Sequence, residues 1–348
     1  MEFHKILTNW YLKKSRDLPW RKNQNPYHVW LSEIMLQQTR VAQGLPYFLK
    51  FTEAFPTIFD LANSEESKVL KLWQGLGYYS RARNLHFTAK VIANELNGQF
   101  PDNYKDLLKL KGVGDYTASA IASICFNKPN AVVDGNVYRV LSRYFGIATP
   151  INSTKGMKEF KELAQTLIDT EQPGIYNQAI MEFGALHCKP KNPLCNECPL
   201  QDSCVGLEKK RITELPVKEK KIKVKKRFFN YVVIVTKNNK TIMQERTQKG
   251  IWQNLHEFPL VETTHSIDEK ELVLNNQFNE ICPFETTISL HNTTDITHKL
   301  SHQHLFTKFW IVKTETNEND AITWKKAKEL PVPVLISNFI QDYLSRKN

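Results

Sequence analysis

Up to about residue 205, apolar side chains recur at intervals of three and four, as in HKILTNWYLKK, EESKVLKLWQGL, NLHFTAKVIANELN and GMKEFKELAQTLID. That period lays one apolar stripe along each helix and predicts a bundle of about ten short amphipathic helices. From Phe228 the pattern changes: FFNYVVIVTK reads as a strand, NNK as a turn and TIMQER as a second strand around a hairpin. A helical DEKELVLNNQFNEI, strands in ETTISLH and LFTKFWIVKT, and a closing helix in ISNFIQDYLSRK follow. The pattern thus divides the chain into an all-α domain over 1–205, a linker over 206–227 and a mixed α/β domain over 228–348. A chain of 348 residues can give each of two such domains its own core.

Composition changes this picture little. No apolar run approaches the roughly 18 residues needed to span a bilayer. The start, MEFHKILTNWYLKKSRDLPW, lacks the charged head, apolar core and small-residue cleavage site of an export leader, so a cytoplasmic, nucleoid-associated protein is expected. The net charge of +11 points to a polyanionic partner, but KEKKIKVKKR over Lys218–Arg227 holds seven basic residues and one acid. A solvated basic linker therefore accounts for more than half of the imbalance, and charge alone speaks only weakly for nucleic acid.

Candidate chemistry sharpens the reading. In KGVGDYTASA, Gly112 and Gly114 allow a tight turn, and the amides that open the next helix would point outward as a cradle for a phosphate. Taken alone, such a Gly-x-Gly is usually only a turn. Cys188, Cys195, Cys198 and Cys204 are spaced six, two and five residues apart with Pro190, Pro193 and Pro199 between them. Four thiols in so short and stiff a loop are a ligand set, and the spacing admits either a structural zinc or a [4Fe-4S] cluster. Cys125 and Cys282 lie outside it and read as buried hydrophobes.

The cysteine loop (188–204), the hairpin (107–120) within LLKLKGVGDYTASAIAS and the acid-bearing AVVDGNVYRVLSR together resemble the endonuclease III superfamily of DNA glycosylases. The resemblance implies an all-α helix-hairpin-helix domain, a [4Fe-4S] cluster on the four cysteines and double-stranded DNA as partner. Base removal needs a proton for the leaving base and a negative charge near a cationic sugar, the work that glycosidases give to two carboxylates. Glu33, on a helix that Asn25 caps and Pro26 opens, falls beside Val29, Trp30, Leu36 and Gln37. An apolar, aromatic face raises a carboxyl pKa, although from the residue alone an ordinary exposed glutamate is the commoner case. Asp134 precedes a Gly-Asn turn and would cap a helix starting near Val137.

WLSEIMLQQTRV resembles the catalytic helix of the MutY adenine glycosylases within that superfamily. By that resemblance Glu33 protonates adenine and helps to activate water, while Asp134, with Asn136 beside it, stabilises the sugar cation. Tyr116 stands where glycosylase/lyases carry the lysine that forms an imine, so strand cleavage has no nucleophile. DLPWR resembles the family's adenine pocket, with Trp20 and Arg21 meeting the base and Gln178 at its edge. QGLGYYSRARNL resembles the wedge segment, which makes Tyr78 and Gln38 the side chains that fill the gap left by a flipped base and Arg81 and Arg83 phosphate contacts or solvated side chains.

The second domain, through GIWQNLHEFPL, resembles the MutT (Nudix)-like domain that this family sets against the strand opposite adenine, without the acidic signature of a pyrophosphohydrolase. Its lesion-reading loop is HKLSHQHL, with Leu300, Ser301 and His302, leucine standing where the family has phenylalanine. The resemblance implies a monofunctional enzyme that removes adenine opposite 8-oxoguanine or guanine, and nothing in the sequence requires more than a monomer. The rivals are a glycosylase/lyase for oxidised pyrimidines and a non-catalytic DNA-binding protein.

Overall fold

Helix starts in the computed structural model, which describes residues 3–219, 224–284, 286–316 and 319–347, carry the capping chemistry their sequences announce. Asn25 accepts from the Tyr27 amide with Pro26 in the first turn of Pro26–Met35; Thr57 and Asp60 form a reciprocal capping box; Ser153 accepts from the Gly156 amide. Among the described residues, eleven α-helices run from Phe3–Lys14 to Pro173–Leu186 ahead of the cysteine loop. The chain divides into two compact units, Met1–Asn63 with Asn84–Lys220, and Ser64–Arg83 with Lys221–Asn348.

In the first unit the most apolar helices are central. Pro26–Met35 buries Val29, Trp30, Leu31, Ile34 and Met35, and packs on Val41–Ala54 and Asp115–Phe126. Asp115–Phe126 is lined with alanine and serine, which lets its neighbours approach closely. Pro173–Leu186 lies against Phe3–Lys14, Asp115–Phe126 and Gly135–Phe145. The ends of these helices bring together side chains that are far apart in sequence.

The second unit is built on a mixed sheet in the order Leu260–Thr263, Lys225–Val235, Gln303–Lys313, Thr287–Leu290, with Ile296–Lys299 also paired to Gln303–Lys313. The central pair is parallel, in register from Lys225 opposite Gln303 to Val235 opposite Lys313. Both faces of this pair are covered, which is why YVVIV reads as a continuous apolar run rather than an alternating one. Val232, Ile234, Trp310 and Val312 join a core with Val261, Leu272 and Phe278, while Phe309 stacks on Phe339 at 4.1 Å.

Local chemistry departs from the periodic pattern in two places. DEKELVLNNQFNEI is two helices, Glu269–Val273 and Asn276–Ile281, because Asn275 turns its side chain onto the Gln277 and Phe278 amides and starts a new one. In TIMQER only Gln244–Glu245 forms a strand, paired with His256–Glu257. The basic linker expected over 206–227 includes residues 220–223, which lie outside the described residues. Among the described residues no helix is long and apolar enough to cross a membrane.

Candidate functional site

A cavity of about 810 Å³ in the first unit gathers Trp20, Arg21, Glu33, Gln38, Tyr116, Asp134, Asn136 and Gln178 into its wall. The Pro26–Met35 helix supplies Glu33, whose neighbours on the helix are buried apolar side chains. The Tyr116 hydroxyl donates to Glu33 Oε2 at 2.6 Å. Burial raises the Glu33 pKa to about 7 and the Asp134 charge adds to it, against the Tyr116 hydrogen bond and Arg21. Near neutrality a carboxyl so poised exchanges a proton readily. The Tyr116 phenol moves well above its ordinary value through burial and the nearby carboxylates, so it stays a neutral donor.

Asp134 does cap, and the helix begins one residue after it, at Gly135. Its Oδ1 accepts from the Asn136 and Val137 amides at 2.9 and 2.8 Å, and its Oδ2 from Asn136 Nδ2 at 2.7 Å. Burial raises its pKa, and these three bonds and the Arg139 charge oppose that rise. Asn136 Oδ1 in turn accepts from Arg139, which also donates to the carbonyls of Gly184 and Cys188. Gly184 makes room for this arrangement, since a Cβ there would fall 2.6 Å from Asn136 Cβ and 2.9 Å from its carbonyl oxygen. Gly184→Ala should therefore cost about 1–3 kcal/mol in thermal or denaturant unfolding, the usual penalty of forcing an atom into a packed contact.

The residues expected to form the adenine pocket bring in three partners that sequence reasoning missed: Glu182, Arg16 and Tyr11. Glu182 is 1% exposed, yet Arg16 grips both of its oxygens at 2.7 Å and Arg21 donates to Oε2 at 2.9 Å. Burial alone would raise its pKa; the two guanidiniums overcome that and hold it at about 2. Arg21 is thereby fixed with Nη1 buried and without a partner among the described residues. Gln178 accepts from the Tyr11 hydroxyl at 2.9 Å, which leaves its amide nitrogen to donate. The missed signal was an acid inside the apolar run NQAIMEFGAL, where an ionised carboxylate needs a cation and DLPWR carries one.

The hairpin glycines lie outside this cavity. Gly112 has φ +82°, and a Cβ there would stand 2.8 Å from Asn84 Cβ; Gly114 precedes the first turn of Asp115–Phe126 with open space where a Cβ would be. Both are exposed, as a surface for backbone phosphate requires.

Tyr78, Leu300, Ser301 and His302 lie together in the second unit around a cavity of about 480 Å³. Leu300–His302 is the tip of the hairpin between Ile296–Lys299 and Gln303–Lys313, and the Tyr78 hydroxyl is hydrogen-bonded to that of Ser301. Tyr78 is 44% exposed with φ 47°, and Gln38 has φ 56°. Left-handed backbone at a non-glycine residue costs on the order of 1 kcal/mol or more, and these are two of nine such positions among the described residues.

Arg81 corrects its expected role. It is 9% exposed, donates to the carbonyls of Leu76 and Gly77, and its guanidinium packs on Trp73 and Tyr78. Its charge is spent on shaping the turn beneath Tyr78 and is not presented to a phosphate. Arg83 likewise donates to the Gln253 carbonyl.

Cys188, Cys195, Cys198 and Cys204 line one small cavity with Pro193, Leu194 and Leu207. Burial and the neighbouring thiols push Cys198 up to about 11, so a cationic group beside it would be needed to hold it as a thiolate. The donor set fits an iron-sulfur cluster, with Arg143 Nη1 3.5 Å from Cys188 Sγ.

Comparison with known proteins agrees with this geometry. Residues 31–166 match the HhH-GPD superfamily of base excision DNA repair proteins, 188–204 the iron-sulfur binding domain of endonuclease III, and 230–342 the NUDIX domain. The chain is 40% identical to the adenine DNA glycosylase of Buchnera aphidicola subsp. Schizaphis graminum over 80% of its own length and 79% of that protein. With the counterpart from Buchnera aphidicola subsp. Baizongia pistaciae the identity is 35%, over 95% of this chain and 94% of the relative, so the likeness extends through both units. Among solved structures, a thermostable thymine-DNA glycosylase superposes with a TM-score of 0.55 at 32% identity, over 60% of this chain and 95% of its own.

Proposed function

The chain belongs to the adenine DNA glycosylases of the HhH-GPD superfamily, base excision repair enzymes with a [4Fe-4S] cluster, and from that premise we propose that it is a monofunctional monomer whose adenine stands opposite 8-oxoguanine or guanine. In this reading the enzyme works on duplex DNA in the nucleoid. The exposed hairpin at Gly112 and Gly114 holds a backbone phosphate while adenine leaves the stack for the cavity, at an unstacking cost of a few kcal/mol. Gln38 and Tyr78 fill the gap. Trp20, Arg21 and the Gln178 amide meet the base. Leu300, Ser301 and His302 read the opposite base, with the Ser301 hydroxyl as its polar contact.

The observation that supports this best is the Tyr116–Glu33 pair in a wall that also carries Asp134. Glu33 as the acid gives its proton to the departing adenine, the glycosidic bond breaks with its electrons going to the base, and the Asp134 carboxylate faces the developing oxocarbenium ion. Glu33, now a carboxylate, takes a proton from the water that attacks the sugar. No lysine lines this cavity among the described residues, so imine formation and strand cleavage have no nucleophile there. Cys188, Cys195, Cys198 and Cys204 would hold the cluster, and so tie down the loop 188–204 that forms part of the wall through Pro190.

The test uses duplexes with adenine opposite 8-oxoguanine, adenine opposite guanine, or thymine glycol, each with and without alkali. Strand breaks at adenine only after alkali are expected; breaks at thymine glycol without alkali would overturn the reading. A pH profile provides a second check. The Glu33 pKa of about 7 means that the acid form is lost above neutrality, so the single-turnover rate should level off below pH 7 and fall about tenfold per unit well above it. A rate that keeps rising to pH 9 would remove Glu33 as the proton donor.

A further inference from the structure

The run Pro129–Val133, which leads into Asp134, belongs to no sheet, and five of its backbone groups are held by side chains instead. Gln165 takes both the Ala131 amide and the Pro129 carbonyl, at 3.1 and 2.7 Å. Asn177 takes the Val132 amide and the Asn130 carbonyl, at 3.2 and 2.8 Å. The Ala131 carbonyl goes to Lys161 Nζ at 2.7 Å. Lys161 lies one turn before Gln165 on the Thr154–Leu167 helix and makes two more bonds, both to the hairpin helix Asp115–Phe126. These are Asp115 Oδ2 at 3.0 Å and Ser119 Oγ at 3.0 Å. The other Asp115 oxygen accepts from the Tyr104 hydroxyl at 2.6 Å, and Lys161 Nζ stands 5.8 Å from the Tyr104 ring centroid.

One ammonium thus joins the two parts of the molecule that act on DNA in the reading above: the helix whose first amides meet phosphate and the run that delivers the catalytic aspartate. We propose that Lys161 is a positioning residue, which registers Asp134 against the phosphate-binding hairpin through Ala131 and holds the Asp115 carboxylate away from the incoming phosphate. The second role is needed because a carboxylate in the first turn of this helix competes for the same positive end that would attract the phosphate. Asp115 with both oxygens engaged does not. The proposal rests on the roles given above to Asp134 and the hairpin.

The two roles separate experimentally. Lys161→Met removes both links, Lys161→Arg keeps a cation within reach, and Lys161→Met with Asp115→Asn removes the unmatched carboxylate but leaves Ala131 without its donor. Single-turnover adenine release at saturating enzyme reads the Asp134 geometry; duplex affinity reads the hairpin. For Lys161→Met the saturated rate should fall on the order of tenfold to a hundredfold, the range for ångström-scale misplacement of a catalytic group. Duplex affinity should weaken about two- to fivefold, as expected for an unmatched charge at a helix start.

The double variant should recover the affinity and keep the slow rate, and Lys161→Arg should recover most of both. Iron-sulfur absorption and melting temperature in each variant identify any that fail to fold, in which case Lys161→Arg and Asp115→Asn carry the comparison. A native saturated rate in folded Lys161→Met, or recovery of rate together with affinity in the double variant, would overturn the inference while leaving the glycosylase reading intact. Loss of the glycosylase reading itself would show separately, as a native protein that releases no adenine or an Asp134→Asn variant as fast as native.

Discussion

Glu33→Gln should reduce adenine release by about 10²–10⁴-fold, the range attributed to one general acid, while duplex binding stays within a few fold of native. The amide has the carboxyl's shape and can still accept from the Tyr116 hydroxyl, so the wall of the cavity should survive the change. What it lacks is a proton to give. Stability provides an independent readout with a definite sign. The Glu33 carboxyl has its pKa raised from the ordinary 4.5 to about 7 in the folded protein, so the native state holds a proton that the unfolded chain has released. Stability is therefore lost as pH rises through that interval, and glutamine, which cannot ionise, escapes the loss. At pH 8 the variant should melt above the native protein, and at pH 4 the two should be close. A slow variant that also melts low at pH 8 would point to disruption of the cavity instead of loss of the acid.

How far the site could be read in advance follows the reach of each interaction. The apolar helix face around Glu33, the cap at Asp134 and the four-cysteine ligand set are legible because helical spacing, helix capping and ligand spacing are local in sequence, whereas the roles given to these residues came from the resemblance to the family. Glu182 was not, because its partners Arg16 and Arg21 are 166 and 161 residues away and nothing nearby announces them. Arg81 was misassigned for the opposite reason: its position in a motif suggested phosphate, but its side chain turns back onto carbonyls four and five residues earlier. The parallel pairing of Lys225–Val235 with Gln303–Lys313 joins strands more than seventy residues apart, and the periodicity of either strand is blind to it. Asn275 shows a short-range failure, where one side chain on two amides outweighs an apolar period that would continue the helix.

Cys198→Ser should abolish the visible iron-sulfur absorption, expected at roughly 400 nm, and with it adenine release. The argument runs through the backbone of the ligand loop. Arg143 donates to the carbonyls of Lys189, Pro190 and Leu215, and Arg139 to that of Cys188, while both guanidiniums are buried. A loop released from the centre that ties its four sulfurs no longer holds the Cys188, Lys189 and Pro190 acceptors in place. Each buried charged donor left without one costs about 1–3 kcal/mol or more. Several such losses approach the whole 5–15 kcal/mol of a typical domain. The damage also reaches the wall of the proposed site by a short path, since Arg139 is the partner of Asn136, Asn136 is the side-chain donor to Asp134, and Pro190 lines the cavity. Cys125→Ser, outside the loop, is the control that should keep the absorption. A Cys198→Ser protein with native absorption would remove this cysteine from the ligand set, and one that lost the absorption yet released adenine at the native rate would show that the loop keeps its place without the cluster.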